Sequence, residues 1–253
     1  MTAFRFEADL RVGNPEGDRG ADGFSVSFGR SNDPLLQEGA LSNTGNFAGG
    51  VPEGGSTTGI AVSFDTWAGN TLPDGADIEG IIVRVDNKTV LRQSLPTRNG
   101  ACDDATSLQT GPRDPEFWAS GGDRRSPESW DTLCWQKLVV NLDEAGKLSV
   151  TWKGSTVLDA FQTTYFPTAG QIILAGRTGG ENQHTHFDNI RLTTTAIAAD
   201  TQPPTAPTAL QVQAGARRVG LTWGAATDNS GRVAYKVLRD GTTIASLLTD
   251  TRY

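Results

Sequence analysis

The sequence predicts an all-β protein, and three observations predict it. Thirty glycines and twelve prolines punctuate the 253 residues, so turns are frequent and long helices have little room. Apolar and polar residues alternate with period two in one segment after another, the pattern of strands with a buried face. No stretch longer than about ten residues carries apolar side chains at the i, i+3, i+4 and i+7 spacing of an amphipathic helix. Many short strands joined by long loops describe a sandwich or jelly roll.

In chain order, Phe4 to Val12 alternates strictly and is the first strand. Gly13 to Gly20 reads as a turn, and Gly23 to Gly29 (GFSVSFG) as a second alternating strand. A long loop rich in Gly, Asn, Ser and Pro, Arg30 to Thr58, leads to the apolar strand Gly59 to Asp65. Loops of this length inside compact domains carry function or mobility. Ile81 to Val85 and Thr89 to Leu91 form a hairpin across Asp86-Asn87-Lys88, and a polar insertion, Leu95 to Thr132, follows. Trp135 to Leu142 and Lys147 to Trp152 make another hairpin across Asp143 to Gly146. The strands Gln171 to Gly176 and His186 to Leu192 close this part of the chain.

Composition shifts at Ala196. The stretch to Pro207 contains Pro203-Pro204 and Pro207 and reads as an extended, proline-stiffened linker. The expected organisation is therefore a domain over 1–195, a linker over 196–207 and a small second segment over 208–253.

Several function classes are disfavoured at once. A net charge of −7 argues against nucleic acid and anionic membranes as partners, because both need a positive surface. Arg124-Arg125 stands beside Asp123 and Glu128 and reads as a solvated patch. No apolar run approaches the ~20 residues needed to span a bilayer, so no membrane insertion is expected. The first residues, MTAFRFEADL, lack the charged and apolar regions of a signal peptide, and export has to be argued from elsewhere.

Cys102 and Cys134 bracket the polar insertion. Without a CxxC pair or a nearby cysteine–histidine cluster, zinc is disfavoured. A disulfide closing the insertion is the favoured reading, because the insertion has little core of its own; two unpaired thiols in a reducing cell are the alternative. His184 and His186 lie two apart, on one side of a strand, and lack a third metal ligand. Trp118 and Trp130 read as packing residues.

Three ordered motifs, GADGF (20–24), SFDTW (63–67) and GRTGGEN (176–182), resemble the L-type, legume-like lectins in the branch found in bacterial extracellular proteins. The resemblance covers roughly residues 4 to 194 and implies a concanavalin A-like jelly-roll sandwich. It also implies a sugar site in which Asp22 accepts hydrogen bonds from sugar hydroxyls, Trp67 and Asn70 come from the loop after the aspartate, and Gly179, Gly180 and Asn182 close the pocket. These residue types suit the task. A carboxylate accepts, an amide both donates and accepts, glycine-rich backbone approaches closely, and an aromatic ring covers the apolar face of a sugar.

The same resemblance implies calcium held by Asp65, the Trp67 carbonyl, Asn70 and Asp74 or Asp77, all hard oxygen ligands. The pattern departs at Ser63, where the legume form carries a glutamate for a transition metal, and no histidine follows in Ile78 to Ile81. The transition-metal site is therefore expected to be lost.

Residues 208–253 resemble the front half of a fibronectin type III domain, with Trp223 as its core tryptophan and Tyr235 to Gly241 as a strand and its turn. Such a sandwich needs about a hundred residues, so a truncated module and a longer parent chain with neighbouring domains are expected. The resemblances together imply a secreted or cell-surface protein that binds a glycan or polysaccharide and is not an enzyme. A structural or protein-binding sandwich without a sugar site is the alternative. A glycoside hydrolase of the same architecture is disfavoured, because no Glu-x-Asp-x-x-Glu strand is present to place two carboxylates about 5 Å apart. Nor does a Gly-x-Ser-x-Gly elbow accompany the histidines.

Overall fold

A computed structural model describes residues 3–13, 20–36, 52–68, 78–96, 101–111, 133–166, 168–195 and 201–253. The chain divides into two compact units, Met1–Thr195 and Ala196–Tyr253.

The first unit is the all-β sandwich that the alternation predicts. One sheet has the order β10-β1-β6-β7-β8, built from β1 (Ala3–Gly13), β6 (Gln136–Leu142), β7 (Lys147–Trp152), β8 (Ser155–Gln162) and β10 (His184–Thr195). The other has the order β5-β4-β3-β2-β9, from β2 (Gly23–Arg30), β3 (Ile60–Asp65), β4 (Gly80–Val85), β5 (Lys88–Ser94) and β9 (Gly170–Arg177). All pairings are antiparallel.

Alternation decides what the sheets bury. Phe4, Phe6, Ala8, Leu10 and Val12 of β1 join Phe24, Val26 and Phe28 of β2 in one hydrophobic core. Phe24 stacks on Phe64 with ring centroids 4.6 Å apart, and Phe64 meets the edge of Trp152 from the opposite sheet at 5.2 Å. Each such ring withdraws a large apolar area from water, worth about 2 kcal/mol or more when fully buried.

β2 differs from a half-exposed strand, since all eight of its residues are buried. Its serines, together with Ser63 of β3, bond to the segment 52–58. Ser25 Oγ donates to the Pro52 carbonyl at 2.7 Å, Ser63 Oγ donates to Gly54 O at 2.9 Å, and Ser27 Oγ accepts from Ser56 N at 3.0 Å. The serines thus satisfy the polar backbone that covers them, which buried backbone requires. Gly55 sits at φ +77°, and a Cβ there would lie 2.5 Å from Ser27 Oγ, so the close approach of this segment depends on glycine.

Cys102 and Cys134 form the disulfide, with Cα atoms 5.7 Å apart. Lys153, in the turn between β7 and β8, reaches the same region. Its ammonium donates to the backbone carbonyls of Ala101 (3.4 Å), Asp104 (2.9 Å) and Gln109.

The second unit holds two antiparallel hairpins, β11 (Thr208–Gly215) with β12 (Arg218–Gly224) and β13 (Tyr235–Arg239) with β14 (Thr242–Leu248). Residues 251–253 run along β12 through Leu221 N to Tyr253 O (2.7 Å) and Trp223 N to Thr251 O (3.0 Å). Trp223 packs edge-on against Tyr235, centroids 5.2 Å apart. Leu210 and Val212 remain 66% and 64% exposed, so the hairpins leave an apolar face open to solvent.

Candidate functional site

Strand register brings the three motifs into one line. Gly23 of β2 pairs with Asp65 of β3 on one side and with Arg177 of β9 on the other. Asp22 precedes Gly23 by one residue, and its backbone is fixed from both neighbours: its N–H donates to Arg177 O at 2.9 Å, and its carbonyl accepts from Thr66 N at 3.1 Å. The Ala21-Asp22 peptide is cis. GADGF, SFDTW and GRTGGEN therefore converge at one end of one sheet, although more than 150 residues separate the first from the last.

The Asp22 side chain is mostly buried. Arg177 Nε lies 3.1 Å from Asp22 Oδ2. Burial pushes the Asp22 carboxyl above the usual carboxylate range, and the Arg177 guanidinium works against that shift. Gly179 lies directly against this carboxylate, since a Cβ on it would come within 3.2 Å of Asp22 Oδ2. A Cβ at Gly180 would meet nothing within 4 Å, so no close approach demands glycine there. Asn182 is half-buried in the same β9–β10 connection.

Asp65 is buried at the end of β3, and one of its oxygens, Oδ1, accepts from Trp67 N at 3.1 Å. This is the geometry of an aspartate bracing the loop that follows it. Trp67 is itself half-buried. Asn70, Asp74 and Asp77 lie outside the described residues, as do Trp118 and Trp130. Among the described residues no group of three or more His, Cys, Asp or Glu side chains is placed to hold a metal ion. Asp65 with the Trp67 carbonyl is then the described part of the calcium set implied by the sequence.

Two residues of this site escaped the sequence reading. Arg177 stands inside GRTGGEN, and Glu53 opens EGGSTTG just before β3. Arg177 Nη2 lies 2.6 Å from Glu53 Oε1, and Glu53 is fully buried. Glu53 belongs to the short 3-10 turn Pro52–Gly54, which the Ser25 and Ser63 hydroxyls hold against the sheet. Ser63, the position where the resemblance places a metal-binding glutamate, thus seats the turn that carries Glu53. A lone arginine at the end of a strand is an ambiguous signal; the signal that could have exposed it is the single acid, Glu53, in a stretch otherwise made of small residues.

A cavity of about 390 Å³ opens beside these residues, between β9 and β10. Its walls include Ala21, Gly23, Phe24, Leu174, Arg177 and Phe187. Asp22 itself does not line it, so this cavity adjoins the carboxylate without containing it.

His184 and His186 lie on the other sheet, with ring centroids 5.6 Å apart. Their strand neighbours are Gly13 and Arg11, and the Arg11 guanidinium lies over Trp135 at 4.6 Å. Burial first, and His186 second, push His184 down to about 4. Burial and then Arg11 lower His186 as well.

No protein-family model matches the chain, and no curated protein matches it by sequence. Among solved structures, the exoplasmic/lumenal domain of VIP36 in its Ca2+/Man3GlcNAc-bound form is 14% identical, with a TM-score of 0.41 over 79% of this chain and 71% of that one. The Ca2+/Man2-bound form of the same domain is 14% identical at a TM-score of 0.42, over 79% and 70%. A likeness at these scores bears on neither ligand nor activity.

Proposed function

We propose that the first unit is an L-type lectin-like, non-catalytic carbohydrate-binding module, with its site at Asp22. The observation that carries this reading is the convergence of Asp22, Gly179 and the Asp65–Trp67 corner at one end of the β3-β2-β9 sheet. An ionised carboxylate beside a side-chain-free glycine and flanking backbone offers acceptors and close approach to a hydroxyl-rich ring. Asn70, Gly180 and Asn182 complete the proposed set, with Trp67 as the aromatic wall. Calcium bound by Asp65, the Trp67 carbonyl, Asn70 and Asp74 would neutralise local charge beside the site.

A fibronectin type III-like second unit, a longer parent chain and a secreted or cell-surface setting belong to the same proposal. The Cys102–Cys134 disulfide supports export, since such bonds persist in oxidising compartments.

A glycan array probed with the intact chain and with Asp22→Ala tests the reading. Binding by the wild type that the variant loses supports it, and silence from a folded wild type rejects it. One observation favours a scaffold without a sugar site: Arg177 already occupies one oxygen of Asp22. Silence on the array would make that the preferred reading, whereas release of reducing sugar would point to a hydrolase.

A further inference from the structure

We propose that Arg177, anchored on Glu53, is a positioning residue that holds the Asp22 carboxylate for ligand hydroxyls, and that it leaves the site selective for sugars without a carboxylate group. The inference rests on the sugar-binding reading above and names the ligand class that the site takes.

The geometry is that of a latch. Arg177 extends from β9 with one nitrogen 3.1 Å from Asp22 and another 2.6 Å from Glu53. Glu53 cannot drift, because it is fully buried and its turn is tied to the serine face of β2 and β3. A guanidinium is rigid and planar, so anchoring Nη2 on Glu53 fixes where the charge at Nε stands beside Asp22. The contact with Asp22 is an ion pair rather than a hydrogen bond, and it sets the positive charge against Oδ2, the oxygen nearest Gly179. A carboxylate fixed beforehand spares the ligand the cost of ordering it.

Charge then selects the ligand. Among the described residues, the Asp22 carboxylate is faced by Arg177 of β9, whose guanidinium also pairs with the buried Glu53 of the 3-10 turn. Two carboxylates thus share one guanidinium. A uronate or other acidic sugar would bring a further negative charge to a cluster whose cation is engaged, and like charges brought together on binding are costly. Neutral and amino sugars meet no such penalty.

The test uses the full chain, wild type and Arg177→Gln, with Arg177→Lys as the conservative variant. Because R177Q leaves Glu53 buried without its cation, the double variant Glu53→Gln/Arg177→Gln provides a folded companion. The ligand-free readout is the pH titration of the Asp22 carboxyl by carbon-detected NMR. The latch predicts that titration moves to higher pH in R177Q and in the double variant, with R177K between them and wild type. An unchanged titration overturns it.

The ligand readout is an array carrying neutral, amino and uronic oligosaccharides. Neutral or amino sugars are expected to bind at least about tenfold more tightly than their uronic counterparts, and binding is expected to weaken in R177Q. A preference for uronates overturns the selectivity while leaving sugar binding intact. An array silent throughout rejects the sugar-binding reading and this selectivity with it, and the NMR titration still decides whether Arg177 positions Asp22.

Discussion

Arg30 and Asp86 meet through parallel contacts, Nη2 to Oδ2 at 2.8 Å and Nε to Oδ1 at 3.1 Å. The pair joins the end of β2 to the tight turn between β4 and β5, where Asp86 has φ +44°. Arg30 also donates to Phe166 O at 2.8 Å and Thr168 Oγ1 at 2.7 Å, while Asp86 Oδ1 accepts from Gly59 N at 2.8 Å. Replacing Arg30 by Met would leave a carboxylate and two further acceptors without this donor. A loss of about 2 kcal/mol is expected, because a charged hydrogen-bonding network is broken while Asp86 stays partly solvated. Arg30→Lys is expected to recover only part of it, since an ammonium cannot make the fork. Chemical denaturation of the three proteins measures both effects.

The alternation in Phe4 to Val12, Gly23 to Gly29 and Lys147 to Trp152 made those strands legible, because each has one apolar face turned to the core. β8 was not legible. Its residues STVLDAFQ pair with β7 through register shifts, and Ala160 lies at φ +42°, so the period-two pattern breaks where the strand bends. β14 escaped for the same reason, with a positive φ at Leu247. At the candidate site, Asp22 and Gly179 could be read from motifs that keep their local order. Glu53 could not, since its place under Arg177 comes from tertiary hydrogen bonds between serine side chains and a loop backbone. Local periodicity carries no information of that kind.

Lys153 offers a second structural test. Its ammonium gathers three backbone carbonyls from residues 101–109, and Gln109 is buried. Lys153→Met keeps the apolar stem and removes every donor. A loss of about 2 kcal/mol is expected from the carbonyl groups left unsatisfied, together with faster cleavage of the 101–111 segment in limited proteolysis. Wild-type cleavage rates in the variant would show that the lysine does not hold this segment.

The disulfide encloses a sequence separation of 32 residues. Loop-closure entropy for that length corresponds to about 3–4 kcal/mol. Calorimetry with and without reductant is expected to show a lower Tm for the reduced protein. Cys102→Ala/Cys134→Ala should reproduce the reduced value without reductant.

His184 gives the fold an acid limit. The folded chain holds this imidazole neutral down to about 4, whereas the free side chain takes up its proton near 6.5. Between those values the unfolded state binds more protons, so stability present above about pH 6.5 is lost as pH falls toward about 4. His184→Gln removes the effect. The difference in stability between wild type and variant should therefore change across this window and level off above it, as measured by denaturant midpoints at successive pH values.

Ser63 has a consequence for substitution. Its hydroxyl fills the position from which Gly54, and through it Glu53, is seated beneath Arg177. A metal-binding glutamate at 63 would need the same small buried space. One serine hydroxyl therefore reaches well beyond its own strand: a glutamate placed at 63 would unseat the turn of Glu53 first, and be felt at Arg177 and Asp22 through it.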